Sequence, residues 1–270
     1  MTTTLTILGC GSSGGVPRPV AGWGACDPNN PKNRRRRCSI LLEKVGAHGK
    51  TVVVVDTPPD HREQVLTAEL DRIDAVLLTH DHADHTHGID DVRAAVIHMR
   101  QLMPIFMDER TSAVIRERFR YCFETPIGSD YPPITREMRI TKGHEVAVEG
   151  PGGAIRAMPF EVHHGDIDAL GFRFGNVAYT PDLNAIPDES LYALEGLDVW
   201  IIDALRYKPH QSHFTVAEAL EWIARMKPKR AILTNLHVDL DYETLKAGLP
   251  DYVEPAFDGM KIKIDGLGKL

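Results

Sequence analysis

The chain has 270 residues, is 43% hydrophobic, and carries 31 Lys and Arg against 38 Asp and Glu, a formal net charge of −7. This is ample apolar content for a core in one domain spanning residues 1–270. The acidic balance argues against a protein that coats nucleic acid, because phosphate binding draws on excess Lys and Arg, although a small anionic substrate needs only local positive charge.

No stretch reaches the ~20 apolar residues of a membrane span and the N-terminus lacks an export pattern, so the expected location is cytoplasmic. Cys10, Cys26, Cys38 and Cys122 show no paired spacing and read as reduced thiols. In chain order, residues 4–8 alternate as a strand and enter the glycine-rich loop 9–15, which lacks the lysine of a P-loop. Its amides, with Ser13, are candidates to touch substrate. Residues 17–32 are irregular. The basic block Arg34 to Arg37 precedes a strand over 39–43 and reads first as a solvated or salt-bridged face, and second as contact with an anion. A β-branched strand over 51–55 ends at Asp56, and 60–70 reads as a short helix capped by Asp60.

Residues 73–78 form an apolar strand that runs directly into T-H-D-H-A-D-H-T-H, residues 79–87. His80, His82 and His85 with Asp84 put three imidazoles and a carboxylate within six residues, the ligand chemistry of zinc, manganese or iron rather than calcium. Side chains at i and i+2 can converge on one ion while those at i+4 and i+5 turn toward a second, so the spacing suggests two metals. A solvated polar loop is the weaker reading, because the histidines fall where a strand gives way to a loop. A helical rhythm follows over 89–101, with Arg93 either structural or a substrate contact, His87 a candidate support for the ligands, and His98 at the surface.

Residues 104–107 read as a strand, 111–123 as an amphipathic helix, and 125–136 as a lid or a connector. Strands are expected over 145–148, 154–162, 170–174, 177–180 and 230–234. Thr215 and Glu218 form a capping-box pattern opening a helix that carries Val216, Leu220 and Ile223 on one face. His213 stands just outside that N-terminus, a favourable place to meet an anion.

The residues H-D-H-A-D-H resemble the signature of the metallo-β-lactamase superfamily. L-G-C-G-S-S-G-G-V-P-R-P from Leu8, D-T-P-P-D-H-R-E-Q from Asp56, H-G at His164, Y-T-P-D ending at Asp182, and S-H-F-T at His213 resemble its branch holding ribonuclease Z and the phosphoribosyl cyclic phosphodiesterase. The resemblance implies an α/β (α+β) fold, a four-layer αββα sandwich. It selects His164 over His163 as a ligand, makes Asp182 a bridge between two ions, and has His237 complete the set, although Asn235 stands where many relatives place a histidine. One ion would take His80, His82, His164 and Asp182, the other Asp84, His85, Asp182 and His237, with Asp56 orienting a ligand from behind. Relatives often carry a zinc-binding cysteine cluster of which only Cys26 remains.

The expected function is a metal-dependent phosphodiesterase with two divalent ions, zinc or manganese. It would cleave a small cyclic or nucleotide-like phosphodiester by attack of a metal-bridging hydroxide, with His213 and Asp84 as catalytic groups. The alternatives are a tRNA-processing endonuclease of ribonuclease Z type, a thiolester hydrolase of glyoxalase II type, and a non-catalytic nucleotide-binding module. A homodimer is left open.

Overall fold

In the computed structural model, which describes residues 2–264, β-branched runs build two seven-stranded sheets. The first has the order β14 (Lys261–Ile264), β1 (Thr2–Gly9), β2 (Ser39–Gly46), β3 (Gly49–Val55), β4 (Ala75–Leu77), β5 (Met103–Met107) and β6 (Thr135–Arg139). The second runs β13 (Val253–Pro255), β12 (Arg230–Thr234), β11 (Val199–Asp203), β10 (Val177–Thr180), β9 (Ile167–Phe174), β8 (Ile155–His164) and β7 (Val146–Val148).

The period-2 alternation of each strand assigns its side chains to two different cores. Val53 and Val55 of β3 face Phe172, Tyr179 and Ile201 of the opposite sheet. Val52 and Val54 face outward onto α1 (His61–Thr67), α3 (Arg93–Met99) and α4 (Glu109–Arg118), through Val65, Val96 and Ile115. On the other sheet Trp200 and Ile202 look outward to Ala219 and Ile223 of α6 (Val216–Met226). The result is helix, sheet, sheet, helix, the expected αββα sandwich. No helix among the described residues is long and apolar enough to cross a membrane.

Local departures have identifiable causes. Asp60 makes no side-chain cap on α1, because its carboxylate accepts from the backbone and guanidinium of Arg37 instead. The helix expected over 111–123 breaks at Phe119 into α4 and α5 (Arg120–Phe123). Residues 89–92 wind as a 3-10 turn before α3, which stops where Arg100 turns left-handed. The segment 125–136, expected as a lid or a connector, gives way to β6 at Thr135. The capping box of α6 is present, with Thr215 and Glu218 bonding reciprocally.

Strand β4 runs parallel to β3 and β5, and β10, β11, β12 and β13 run parallel in the second sheet. Their C-terminal ends share one edge of the sandwich, where the Leu170 amide of one sheet donates to the Thr79 carbonyl of the other (2.8 Å). Everything that follows β4, β10, β11 and β12 is therefore delivered to one place.

Candidate metal centre

Asp56 is the pivot of the first sheet's edge. It takes a left-handed backbone (φ 64°) at the end of β3, a conformation costing a non-glycine residue roughly 1–2 kcal/mol. The turn sends its fully buried carboxylate under the histidine-rich loop that follows β4. There it accepts from the Thr79 amide (2.8 Å), the Thr79 hydroxyl (2.9 Å) and His85 Nδ1 (2.7 Å). Burial pushes its pKa above the ordinary value despite these donors. Thr79 Oγ1 in turn meets His80 Nδ1 at 2.9 Å. With Nδ1 engaged in both rings, Nε2 is the nitrogen that His80 and His85 each turn toward Asp182.

The short helix α2 (Ala83–Thr86) begins after His82 and carries Asp84 and His85, while Thr86 ties back to the His82 carbonyl (2.8 Å). From the second sheet, His164 ends β8 and donates through Nδ1 to the Ser212 carbonyl (2.7 Å). Its Nε2 stands 3.2 Å from His82 Nδ1 and 3.6 Å from Asp182. Asp182 lies two residues beyond β10, 3.3 Å from His85 Nε2 and 3.9 Å from His80 Nε2. Although burial opposes its ionisation, the surrounding imidazoles, His85 foremost, hold its carboxyl well below the usual range.

Two groups that could hold a metal ion result. His80, His82, His164 and Asp182 each bring an atom within 4.8 Å of the others, and so do Asp84, His85 and Asp182. Asp182 is common to both. His163 turns away, to Asp168 (2.8 Å). It belongs to a surface grouping with Glu161 where the Lys142 ammonium is already paired with both carboxylates.

His237 is not brought into either group: its Nδ1 accepts from the Asp239 amide (3.2 Å) and lies 3.0 Å from the Asp239 carboxylate. It lines a neighbouring cavity of about 160 Å³ with Ser13, Asp84, His213, Asn235, Arg18 and Arg206. A larger cavity of about 680 Å³ lies at the opposite ends of the strands, around Asp74, Pro104 and Arg136, away from this chemistry.

His213 sits before the α6 N-terminus as expected, with a partner that sequence patterns did not mark. Its Nδ1 donates to Asp203 (2.8 Å), a fully buried carboxylate at the end of β11. Burial pushes Asp203 up to about 6. Burial also works against charge on His213, but the Asp203 carboxylate outweighs it and raises the imidazole to about 9. The signal for Asp203 was available: V-W-I-I-D repeats the apolar-strand-then-Asp pattern of V-V-V-V-D at Asp56.

Arg93 does not reach the site. It pairs with Asp90 (2.5 Å) beside a separate cavity lined by Tyr121 and Tyr131. Three residues of the basic block are tied into the structure, while Arg34 is exposed: Arg36 pairs with Asp258 (3.0 Å), Arg37 with Asp60 (2.8 Å), and buried Arg35 donates to the Leu240 carbonyl (2.8 Å). His87 packs against Phe119, and Cys26 is buried with Val16 and Val238, its thiol directed at the Val238 carbonyl (3.4 Å).

A sandwich of two sheets between helices, gathering histidines and carboxylates at the C-terminal strand ends, defines a metallo-β-lactamase-fold hydrolase. The model of the beta-lactamase superfamily domain matches residues 51–235, and the chain belongs to that superfamily. A crystal structure of a diphosphatase from the PhnP family is 33% identical, with a TM-score of 0.86 over 97% of this chain and 98% of that one. Zn²⁺-bound PqqB from Methylobacterium extorquens is 17% identical (TM-score 0.76, 96% and 99% covered), and the short form of human tRNase Z is 16% identical (TM-score 0.60, 96% and 98% covered). These two share the fold. An octanoyltransferase of Porphyromonas gingivalis (strain ATCC BAA-308 / W83) is 30% identical over 97% of this chain, which spans about half (52%) of that protein's length.

Proposed function

We propose that the protein hydrolyses a small cyclic or nucleotide-like phosphodiester with two divalent ions, zinc or manganese. The observation that carries this reading is the His213–Asp203 pair, set beside the ligand groups in a cavity that also presents Arg18 and Arg206. The donor set suits such ions. His80 Nε2 and Asp182 Oδ1 are buried without a hydrogen-bond partner, and His82 Nδ1 and His164 Nε2 face each other across 3.2 Å. Imidazole with carboxylate accepts both metals. His80, His82, His164 and Asp182 would hold one ion and Asp84, His85 and Asp182 the other. Bound there, the ions supply Lewis acidity toward phosphoryl oxygen and a water ionised near neutral pH.

The chain's own residues account for the rest. Hydrolysis joins a water oxygen to phosphorus and breaks the bond to the leaving alcohol, which departs needing a proton. His213, kept charged by Asp203, carries that proton on Nε2 in the cavity. An acid in this position contributes ~10² to 10⁴ in rate. Ser13 and Arg18 line the same cavity and would receive the non-bridging oxygens.

The test is His213→Ala assayed with metal content measured in parallel. The variant is expected to retain its metal, yet to lose far more activity on 2′,3′-cyclic AMP than on bis(p-nitrophenyl) phosphate, whose leaving group needs no proton. Equal losses would reduce His213 to phosphate binding. If metal-loaded wild type cleaves neither ester, the phosphodiesterase reading fails. A second reading, hydrolysis of a diphosphate, is favoured by the two guanidiniums in one small cavity and by the name of the 33% identical relative. Inorganic pyrophosphate and nucleoside diphosphates belong in the same assay.

A further inference from the structure

Three strand ends meet at Asp203. It closes β11, which lies between β10 and β12 and runs parallel to both, and its register partner on β12 is Thr234. Residues just beyond the two flanking strands turn to its carboxylate. After β10, the Leu183 amide donates to Oδ2 (3.1 Å), the oxygen that also accepts from His213 Nδ1 (2.8 Å). After β12, buried Asn235 donates its side-chain amide to Oδ1 (3.1 Å). Asn235 leaves the strand in a left-handed turn (φ 60°), a conformation that asparagine tolerates better than most residues. Since a carboxylate only accepts, the nitrogen end of this amide must face Asp203. The same nitrogen lies 3.1 Å from His213 Nδ1, so the amide packs against both members of the pair. Beyond these contacts the His213 ring meets only the rings of His164 and His210 among the aromatic neighbours, at 4.6 and 5.0 Å between centroids. The hydrogen bond to Asp203 is what fixes its rotation.

Resting on the reading of His213 as the acid for the leaving alcohol, we propose that Asn235 is a positioning residue for that acid: it locks the Asp203 carboxylate in the rotation that aims the His213 ring into the cavity. Asp203 is fully buried, and Asn235 is the one side-chain donor to its Oδ1 among the described residues. Without that donor a charged oxygen is sealed away from water with no partner, which costs more than a lost neutral hydrogen bond. The carboxylate then rotates or admits water to recover a donor, and either movement carries the imidazole with it. A proton donor displaced by about 1 Å can lose on the order of 10² in rate. The amide is also neutral, so it orders Asp203 without bringing a second cation to compete with His213 for the carboxylate.

The test pairs a proton spectrum with a kinetic cycle. The low-field resonance of the His213 Nδ1 proton, identified by its absence from His213→Ala, should be lost to solvent exchange in Asn235→Gly. Glycine keeps the left-handed turn, so this variant removes the amide and little else. On 2′,3′-cyclic AMP, Asn235→Gly should lose kcat about 10- to 100-fold, with KM and the rate on bis(p-nitrophenyl) phosphate changing far less. Combined with His213→Ala it should cost nothing further, because a brace has no effect once the braced ring is gone. Bound metal, counted in parallel by elemental analysis, should equal that of wild type. An unchanged Nδ1 resonance, equal losses on the two esters, additive losses in the double variant, or loss of bound metal would each overturn the proposal. If His213→Ala spares the cyclic ester, the acid reading falls and this proposal with it. A selective loss in His213→Ala that Asn235→Gly does not share overturns the brace alone. Asn235→Asp keeps the size of the side chain and loses the donor, so the same readings are taken on it should the glycine variant not fold.

Discussion

His61 should make the protein's stability fall with acid in a way that one substitution removes. It opens α1 with its side chain fully buried, and neither ring nitrogen has a hydrogen-bond partner. Burial alone lowers its pKa from 6.5 to about 4. The unfolded chain takes up this proton near pH 6.5, whereas the folded chain resists until about pH 4. The stability from keeping His61 neutral is therefore complete above pH 6.5 and lost progressively as pH falls toward 4. A gap of about 2.5 pH units at 1.36 kcal/mol each corresponds to roughly 3 kcal/mol. His61→Leu keeps most of the bulk, removes the titration, and deletes two unpaired polar atoms whose burial costs about 1–3 kcal/mol. Urea denaturation of both proteins from pH 7.5 to 4.5, in the same chelator, lets the protonation of the metal ligands cancel in the difference. The variant should match or exceed wild type at pH 7.5, and its advantage should grow by roughly 2–3 kcal/mol by pH 4.5. A difference that stays flat across this range would refute the reasoning.

At Gly88 an added Cβ would stand 2.1 Å from the Pro58 carbonyl oxygen and 2.8 Å from the His61 Cβ. Gly88→Ala should therefore lower the urea midpoint by the equivalent of about 1–3 kcal/mol and weaken Zn²⁺ retention, because it pries α1 from the ligand loop. Arg18 lies across Gly14 with Nε buried and unpaired on the cavity wall. Loss of its charged hydrogen bonds in Arg18→Ala should raise KM for the phosphodiester about 10- to 100-fold with a smaller change in kcat, and a fall confined to kcat would contradict a ground-state binding role. Arg35→Met should cost about 2–3 kcal/mol in chemical denaturation, since the Leu240 carbonyl loses a charged donor, while bound metal stays the same.

Much of this protein is written in short stretches. The β-branched alternation of 51–55 marks both the strand and its two faces, because side-chain direction in a strand has a period of two residues and needs no distant partner. The candidate ligand loop is legible for a similar reason: His80, His82, Asp84 and His85 are placed by one strand end and one turn of helix. The capping box at Thr215 and Glu218 closes within four residues. His164 and Asp182 could be picked out only by their likeness to family motifs, since nothing local distinguishes them from surface groups.

The tertiary structure decided which strand ends meet. Asp203 and His213 become a pair only because β11 and the start of α6 reach the same edge. Asn235 is directed to that pair and His237 to Asp239, so His237 joins neither group that could hold a metal. The block Arg34 to Arg37 reads in sequence as a solvated or salt-bridged face, and only the fold names the partners: Arg36 finds Asp258 222 positions away and Arg35 the Leu240 carbonyl 205 away. Asp60 could equally have capped α1, and the nearby Arg37 took its carboxylate. In each case the local sequence supplies a group able to make either contact, and the choice depends on which partner the packing of the two sheets brings within about 3 Å.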